Sequence, residues 1–306
     1  MLLPSRPETR YDLGADVRGQ PAGLRCGTKS LGPARFILNA ERSDLPRILY
    51  VTSFDRAMYR VTGKRLLDSF LKLKVDGRLL VCHEGFRGQF PFRCRQVSDY
   101  DLDHCELLHG WIARNRDIIP ERFGGYAPSC HCDRPDDPFA RHRPACPASW
   151  FNRNASRWFR KVVSLHAASR QPGYDALVWV DADSVFSASP PADEVIRWFR
   201  RCSVFYLKSP DRGVIESGVL GVRNCPAGRK FVDFTMERYQ SSRFRRNARW
   251  DDGYQIQLAL HQHPEISSVD LAEKAGPNGD VVPYSPIAPY LTHEKGTHAY
   301  RLKLVG

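Results

Sequence analysis

The sequence predicts a single α/β domain built on a mostly parallel central sheet. Three observations carry this. Short apolar runs of strand length recur along the chain, and helical patterns lie between them. The first strand, helix and second strand also fit within about forty residues, the span of a right-handed βαβ crossover. A sheet of this kind gathers its binding loops in the crevice at the carboxyl ends of its strands.

The elements follow in order. Residues 1–45 are rich in Pro, Gly and Arg without periodicity, which predicts an irregular N-terminal arm, with the domain over 46–306. Ile48-Leu49-Tyr50-Val51 reads as a buried strand, and Thr52-Ser53-Phe54-Asp55 is expected to leave it toward a helix over roughly 57–73. Leu79-Leu80-Val81-Cys82 supplies a second strand after Asp76-Gly77. A helix is expected around 102–115, then a loop-rich insertion over 124–147, dense in Gly, Pro, Asp and Arg. Trp158, Val162, Leu165 and Ala168 stand at helical spacing within 156–169. Leu177-Val178-Trp179-Val180 is the most continuous apolar strand, with a helix over 195–201 behind it. Strands at 203–207 and 219–222 and helices at 227–239 and 252–261 complete the pattern.

The 306 residues are 42% hydrophobic, 26% charged and 11% aromatic, which is enough apolar surface to exclude disorder over most of the length. No run approaches the roughly 18 apolar residues of a spanning helix, and the first residues lack a basic leader with an apolar block. The chain is therefore read as cytoplasmic and without a transmembrane segment, with peripheral contact to a membrane left open. Lys and Arg number 46 against 34 Asp and Glu, a net +12 that favours anionic partners such as phosphates. Nine cysteines, an odd number, point to reduced thiols or metal ligation rather than a disulfide framework.

The chemistry concentrates at Asp181-Ala182-Asp183, where the strongest strand ends. In extended backbone, residues two apart project to one side, so the two carboxylates can converge on one hard cation. A divalent ion there would neutralise a diphosphate and the charge that grows on it as a sugar departs. The plainer reading, a pair of acids capping a turn, competes with it.

This arrangement resembles the Asp-x-Asp motif of GT-A fold glycosyltransferases, closest in motif order to the glycogenin and bacterial lipopolysaccharide galactosyltransferase type. The resemblance implies a Rossmann-like α/β/α sandwich, a nucleotide-sugar donor (a UDP-sugar), Mn²⁺ or Mg²⁺, and a glycan or glycoside hydroxyl as acceptor. Three further segments fit it in order. Residues 48–55 with Tyr59 are similar to the opening strand that receives base and ribose, which implicates Thr52, Ser53, Phe54 and Tyr59. Ile215-Glu216-Ser217-Gly218 and the residues to Val222 look like the strand on the sugar and acceptor side, which implicates Ser217 and Gly218. His293-Glu294-Lys295-Gly296 is similar to the C-terminal motif in which a histidine completes the metal shell and a lysine meets the diphosphate. By this resemblance Asp181, Asp183 and His293 are the metal ligands, and Ala182, Lys295 and Gly296 line the donor.

Four patterns stand outside the motif. Trp250-Asp251-Asp252-Gly253 precedes a helix, and either carboxylate is a candidate acid-base or charge-stabilising group or a helix N-cap, with Glu216 as a further candidate. Arg153, Arg157 and Lys161 share one helix face, directed at the nucleotide or at solvent. Cys130, Cys132, His142 and Cys146 lie close enough in sequence to staple the insertion with Zn²⁺, although the spacing is not that of a zinc knuckle. The basic run from Arg243 to Arg249 lacks a nucleic-acid module around it, and no nucleic acid is expected as a partner. A sugar-nucleotide nucleotidyltransferase is the enzymatic alternative, although residues 52–60 lack its Gly-rich loop. A basic, zinc-stapled binding module is the non-enzymatic one.

Overall fold

The computed structural model describes residues 45–86, 90–92, 94–119, 152, 154–210, 213–274 and 280–294, all within one compact unit, Ser43–Gly306. The expected N-terminal arm through residue 44 and the whole 124–147 insertion with its Cys130 to Cys146 cluster, together with Arg153, Lys295 and Gly296, lie outside the described residues.

Nine strands and six helices of seven or more residues are described. Strand β1 (Ile48–Asp55) leads into helical residues 56–72, of which Lys64–Lys72 forms α1, and then into β2 (Arg78–Glu84). Next come β3 (Val97–Asp101), α2 (Glu106–Arg114), α3 (Ala155–Ser169), β4 (Ala176–Val180), β5 (Ser184–Phe186) and α4 (Ala192–Trp198). The chain continues through β6 (Val204–Ser209), β7 (Val214–Arg223), α5 (Pro226–Gln240), α6 (Asp252–Gln262), β8 (Ser268–Asp270) and β9 (Leu291–His293).

Seven strands form one sheet in the order β3-β2-β1-β4-β7-β6-β8. All run the same way except β7, which is antiparallel to both β4 and β6. The α/β class and the mostly parallel sheet are thus as the sequence indicates. Alternation along β1 explains the two-sided packing: Leu49 and Val51 enter one apolar cluster with α3 and α5, while Ile48, Tyr50 and Phe54 enter the other with α1 and α4. All five residues of β4 are buried, each large side chain contributing roughly 1.5–3 kcal/mol by leaving water.

Two local differences from the sequence expectation shape the site. Thr52 to Asp55 do not leave β1 as a loop; they stay in register with Val81 to Glu84, because parallel pairing with β2 satisfies their backbone. Strand β7 is longer than expected, and its pairing with β6 jumps from Leu220 opposite Tyr206 to Glu216 opposite Leu207. Ser217, Gly218 and Val219 therefore have no partner on β6, a bulge that bends the strand beside the end of β4.

Candidate functional site

The fully buried β4 delivers Asp181 to the carboxyl end of the sheet. Residues 181–183 form a turn rather than extended backbone, closed by the Ser184 amide donating to the Asp181 carbonyl at 3.0 Å. The two carboxylates therefore converge through the turn and not through strand alternation. Strand β5 then pairs antiparallel with β9, setting Ser184 opposite His293, and the Glu294 amide donates to the Asp183 carbonyl at 3.0 Å. This places His293 Nε2 at 3.1 Å from Asp183 Oδ1 across 110 positions of sequence.

Asp181, Asp183 and His293 each offer a ligand atom, and the three atoms lie within 4.8 Å of one another. The surroundings suit a cation. A Cβ on Gly218 would stand 2.8 Å from His293 Cε1, so the imidazole occupies space that only a glycine leaves. Asp181, Asp183, Asp252 and Asp280 crowd this end of the sheet, and Lys161 is the ammonium paired with Asp181 and Asp252. Two carboxylates with one imidazole form a donor set for a divalent ion.

Lys161 lies beneath this group, 5% exposed. Its Nζ is 2.9 Å from Asp181 Oδ1 and 2.7 Å from Asp252 Oδ2, and it donates to the Ser217 carbonyl at 2.8 Å. Ser217 Oγ donates to Asp252 Oδ2 at 2.8 Å, and Trp179 Nε1 donates to Asp181 Oδ1 at 2.6 Å. Burial alone would lower the Lys161 ammonium, but Asp181 and Asp252 together hold it above its ordinary value. Burial would likewise raise Asp181, yet the Lys161 ammonium, His293 and the two donors on its oxygen hold it below the usual carboxylate range.

The paired acids before α6 divide their work. Asp251 is the N-cap, accepting from the Tyr254 amide at 3.3 Å and from Arg249 Nε and Nη2 at 2.8 and 2.9 Å. Its carboxyl is nonetheless raised, because burial outweighs the Arg249 guanidinium. Asp252, 2% exposed, turns inward to Lys161 and Ser217. Gly253 lets α6 come this close to β7: a Cβ there would be 2.2 Å from the Ile215 carbonyl oxygen.

A cleft of about 360 Å³ opens in front of the carboxylates. Its walls include Ser53, Phe54 and Met58 from the end of β1 and the turn after it, Arg157, Trp158 and Lys161 from α3, and Asp181, Ala182 and Asp183. Thr52 is fully buried within β1, and Tyr59 packs against Phe54, Phe86 and Phe92. Glu216 lies half-buried on β7 at the edge of the bulge.

No family model matches the sequence, and no curated protein matches it. Among solved structures the chain is similar to "a glycosyltransferase involved in the glycosylation of the major capsid of PBCV-1", with a TM-score of 0.43 and 11% identity over 82% of this chain and 94% of that one.

Several contributors to the site are not evident from motif reading. Trp179 stands two positions before Asp181, a spacing that could have flagged it, and Glu84 forms a bidentate ion pair with Arg160, the neighbour of Lys161. Arg65 on α1 pairs with Glu294 beside His293, and Asp280 Oδ1 lies 3.9 Å from His293 Nδ1. Neither has a sequence signal, because each acts across long sequence separations.

Proposed function

We propose that this protein is a divalent-cation-dependent glycosyltransferase of the GT-A type, moving a sugar from a nucleotide-sugar donor, a UDP-sugar, to a hydroxyl of a glycan or glycoside. The observation that carries the reading is the convergence of Asp181, Asp183 and His293 at the exit of a buried strand, beside a cleft of about 360 Å³. Asp181, Asp183 and His293 would hold Mn²⁺ or Mg²⁺, which when bound supplies charge neutralisation for the diphosphate leaving group.

The chain's own residues supply the rest of the chemistry. Phe54 and Trp158 give the cleft flat apolar walls suited to a base or sugar ring, and Arg157 adds a guanidinium for phosphate oxygens. Lys295 and Gly296, which lie outside the described residues, are assigned to the donor only by the resemblance of their motif. Asp252, buried and anionic beneath the carboxylates, contributes negative potential where positive charge grows on a departing sugar. The Trp179 and Phe54 side chains add apolar surface to that side of the cleft.

No helix among the described residues is long and apolar enough to cross a membrane. A cation-dependent screen of nucleotide-sugars tests the reading, with donor hydrolysis and thermal stabilisation as readouts. One nucleotide-sugar should stabilise the protein and be turned over in Mn²⁺, and Asp183→Asn should abolish both effects while keeping the fold. Turnover undiminished in that variant refutes the assignment.

A further inference from the structure

We propose that Lys161 is a positioning residue for the cation site, acting through Asp181 rather than on the donor. The inference rests on the cation reading above and goes beyond it by assigning which oxygen faces the ion and what holds it there.

The geometry at Asp181 is asymmetric. Oδ1 receives two donors, Trp179 Nε1 at 2.6 Å and Lys161 Nζ at 2.9 Å, while Oδ2 takes no hydrogen bond among the described residues. An oxygen that already accepts a charged and a neutral donor has little electron density left for a third partner. Oδ2 is therefore the oxygen presented to the ion. The Asp181 amide is tied to the Gly218 carbonyl at 2.9 Å and Oδ1 to Trp179 and Lys161, so both backbone and side chain of the residue are held.

The clamp itself is immobilised. An ammonium has three protons, and four acceptors lie within 3.0 Å of Lys161 Nζ: it donates to the Ser217 carbonyl and Oγ and pairs with Asp181 Oδ1 and Asp252 Oδ2. The Trp179 ring covers the ammonium with its centroid at 5.0 Å. No proton remains for a phosphate, which separates Lys161 from the role its spacing with Arg157 implies. Four elements, α3, β4, β7 and α6, thus meet behind a single carboxylate oxygen. Partners of this kind orient ligating carboxylates, and their loss typically lowers metal affinity roughly 10–100-fold.

The test is a titration of the full chain with Mn²⁺ alone, following free ion by electron paramagnetic resonance, so that it needs no turnover. Lys161→Met should weaken Mn²⁺ binding roughly 10–100-fold, and Lys161→Arg should recover part of the loss because it keeps the charge. Trp179→Phe strips the second donor from the same oxygen without unpairing a buried charge, and should weaken Mn²⁺ several-fold. If Lys161→Met fails to fold, Trp179→Phe alone decides. Variants that melt earlier yet bind Mn²⁺ with the wild-type constant would show a merely structural lysine and overturn the proposal. A wild-type protein that binds no Mn²⁺ would overturn the cation reading itself, an outcome distinct from wild-type binding that the variants leave untouched.

Discussion

The amide of Asp181 donates to the carbonyl of Gly218 at 2.9 Å, so the turn that carries the two carboxylates is tied to the residue whose missing side chain makes room for His293. One glycine on the bulge of β7 thereby sets both halves of the ligand group.

Gly218→Ala should accordingly damage the site more than the fold. The added Cβ would meet His293 Cε1 at 2.8 Å and Nδ1 at 3.2 Å, forcing the imidazole off its place beside Asp183. Overpacking of this kind costs about 1–3 kcal/mol, and relief by moving His293 is the cheapest route. The expected outcome is a lowered Mn²⁺ affinity with a small change in Tm; calorimetric titration and a melting curve on the same sample check it.

Asp251→Ala should act chiefly on stability. Removing the cap of α6 costs about 0.5–2 kcal/mol, and it also leaves the Arg249 guanidinium without its bidentate partner. A fall in Tm of several degrees is expected, and an unchanged Tm would contradict the capping role.

The Lys161–Asp181 pair should be insensitive to pH across the neutral range. Asp181 is lowered in the fold, so its contribution is present above the unfolded value of about 3.9 and fades as pH falls through the lower folded value. Lys161 is raised, so its contribution is complete below about 10.4 and fades as pH rises through the higher folded value. Emission from Trp179, obtained by subtracting the spectrum of Trp179→Phe, should be flat between about pH 5 and 9. A transition inside that window that survives His293→Gln contradicts the paired state.

Much of the frame was legible because it rests on periodicity and burial. The apolar run of β4 and the carboxylates after it, or the helical spacing of Trp158, Val162 and Leu165 in α3, can be read from residue type alone. Strand β3 escaped that reading, because Val-Ser-Asp-Tyr-Asp lies at the sheet edge, where only Val97 is buried. The bulge at Ser217 to Val219 was equally hidden, since it is a matter of register between β6 and β7 rather than of composition. Helical spacing placed Lys161 on one face with Arg157, but it could not say that this face meets Asp181 and Asp252 from below. His293 is held by a three-residue strand with no turn or alternation to announce it.

Arg65→Ala probes that short strand. Exposed ion pairs contribute about 0–1 kcal/mol, so global stability should scarcely move when the Glu294 contact is lost. Amide exchange at Thr292 and His293 should quicken, and protection unchanged at both would show that the pair does not anchor β9.

The ribbon of β5 and β9 joins only three residue pairs, outside the seven-stranded sheet. Its Phe186 and Leu291 are buried in the same apolar cluster as Tyr50 and Phe70, which ties the ribbon to the core. Under the proposed cation reading, an ion would be gripped between the turn after β4 and this ribbon, so the two must keep their register for the ligand group to persist.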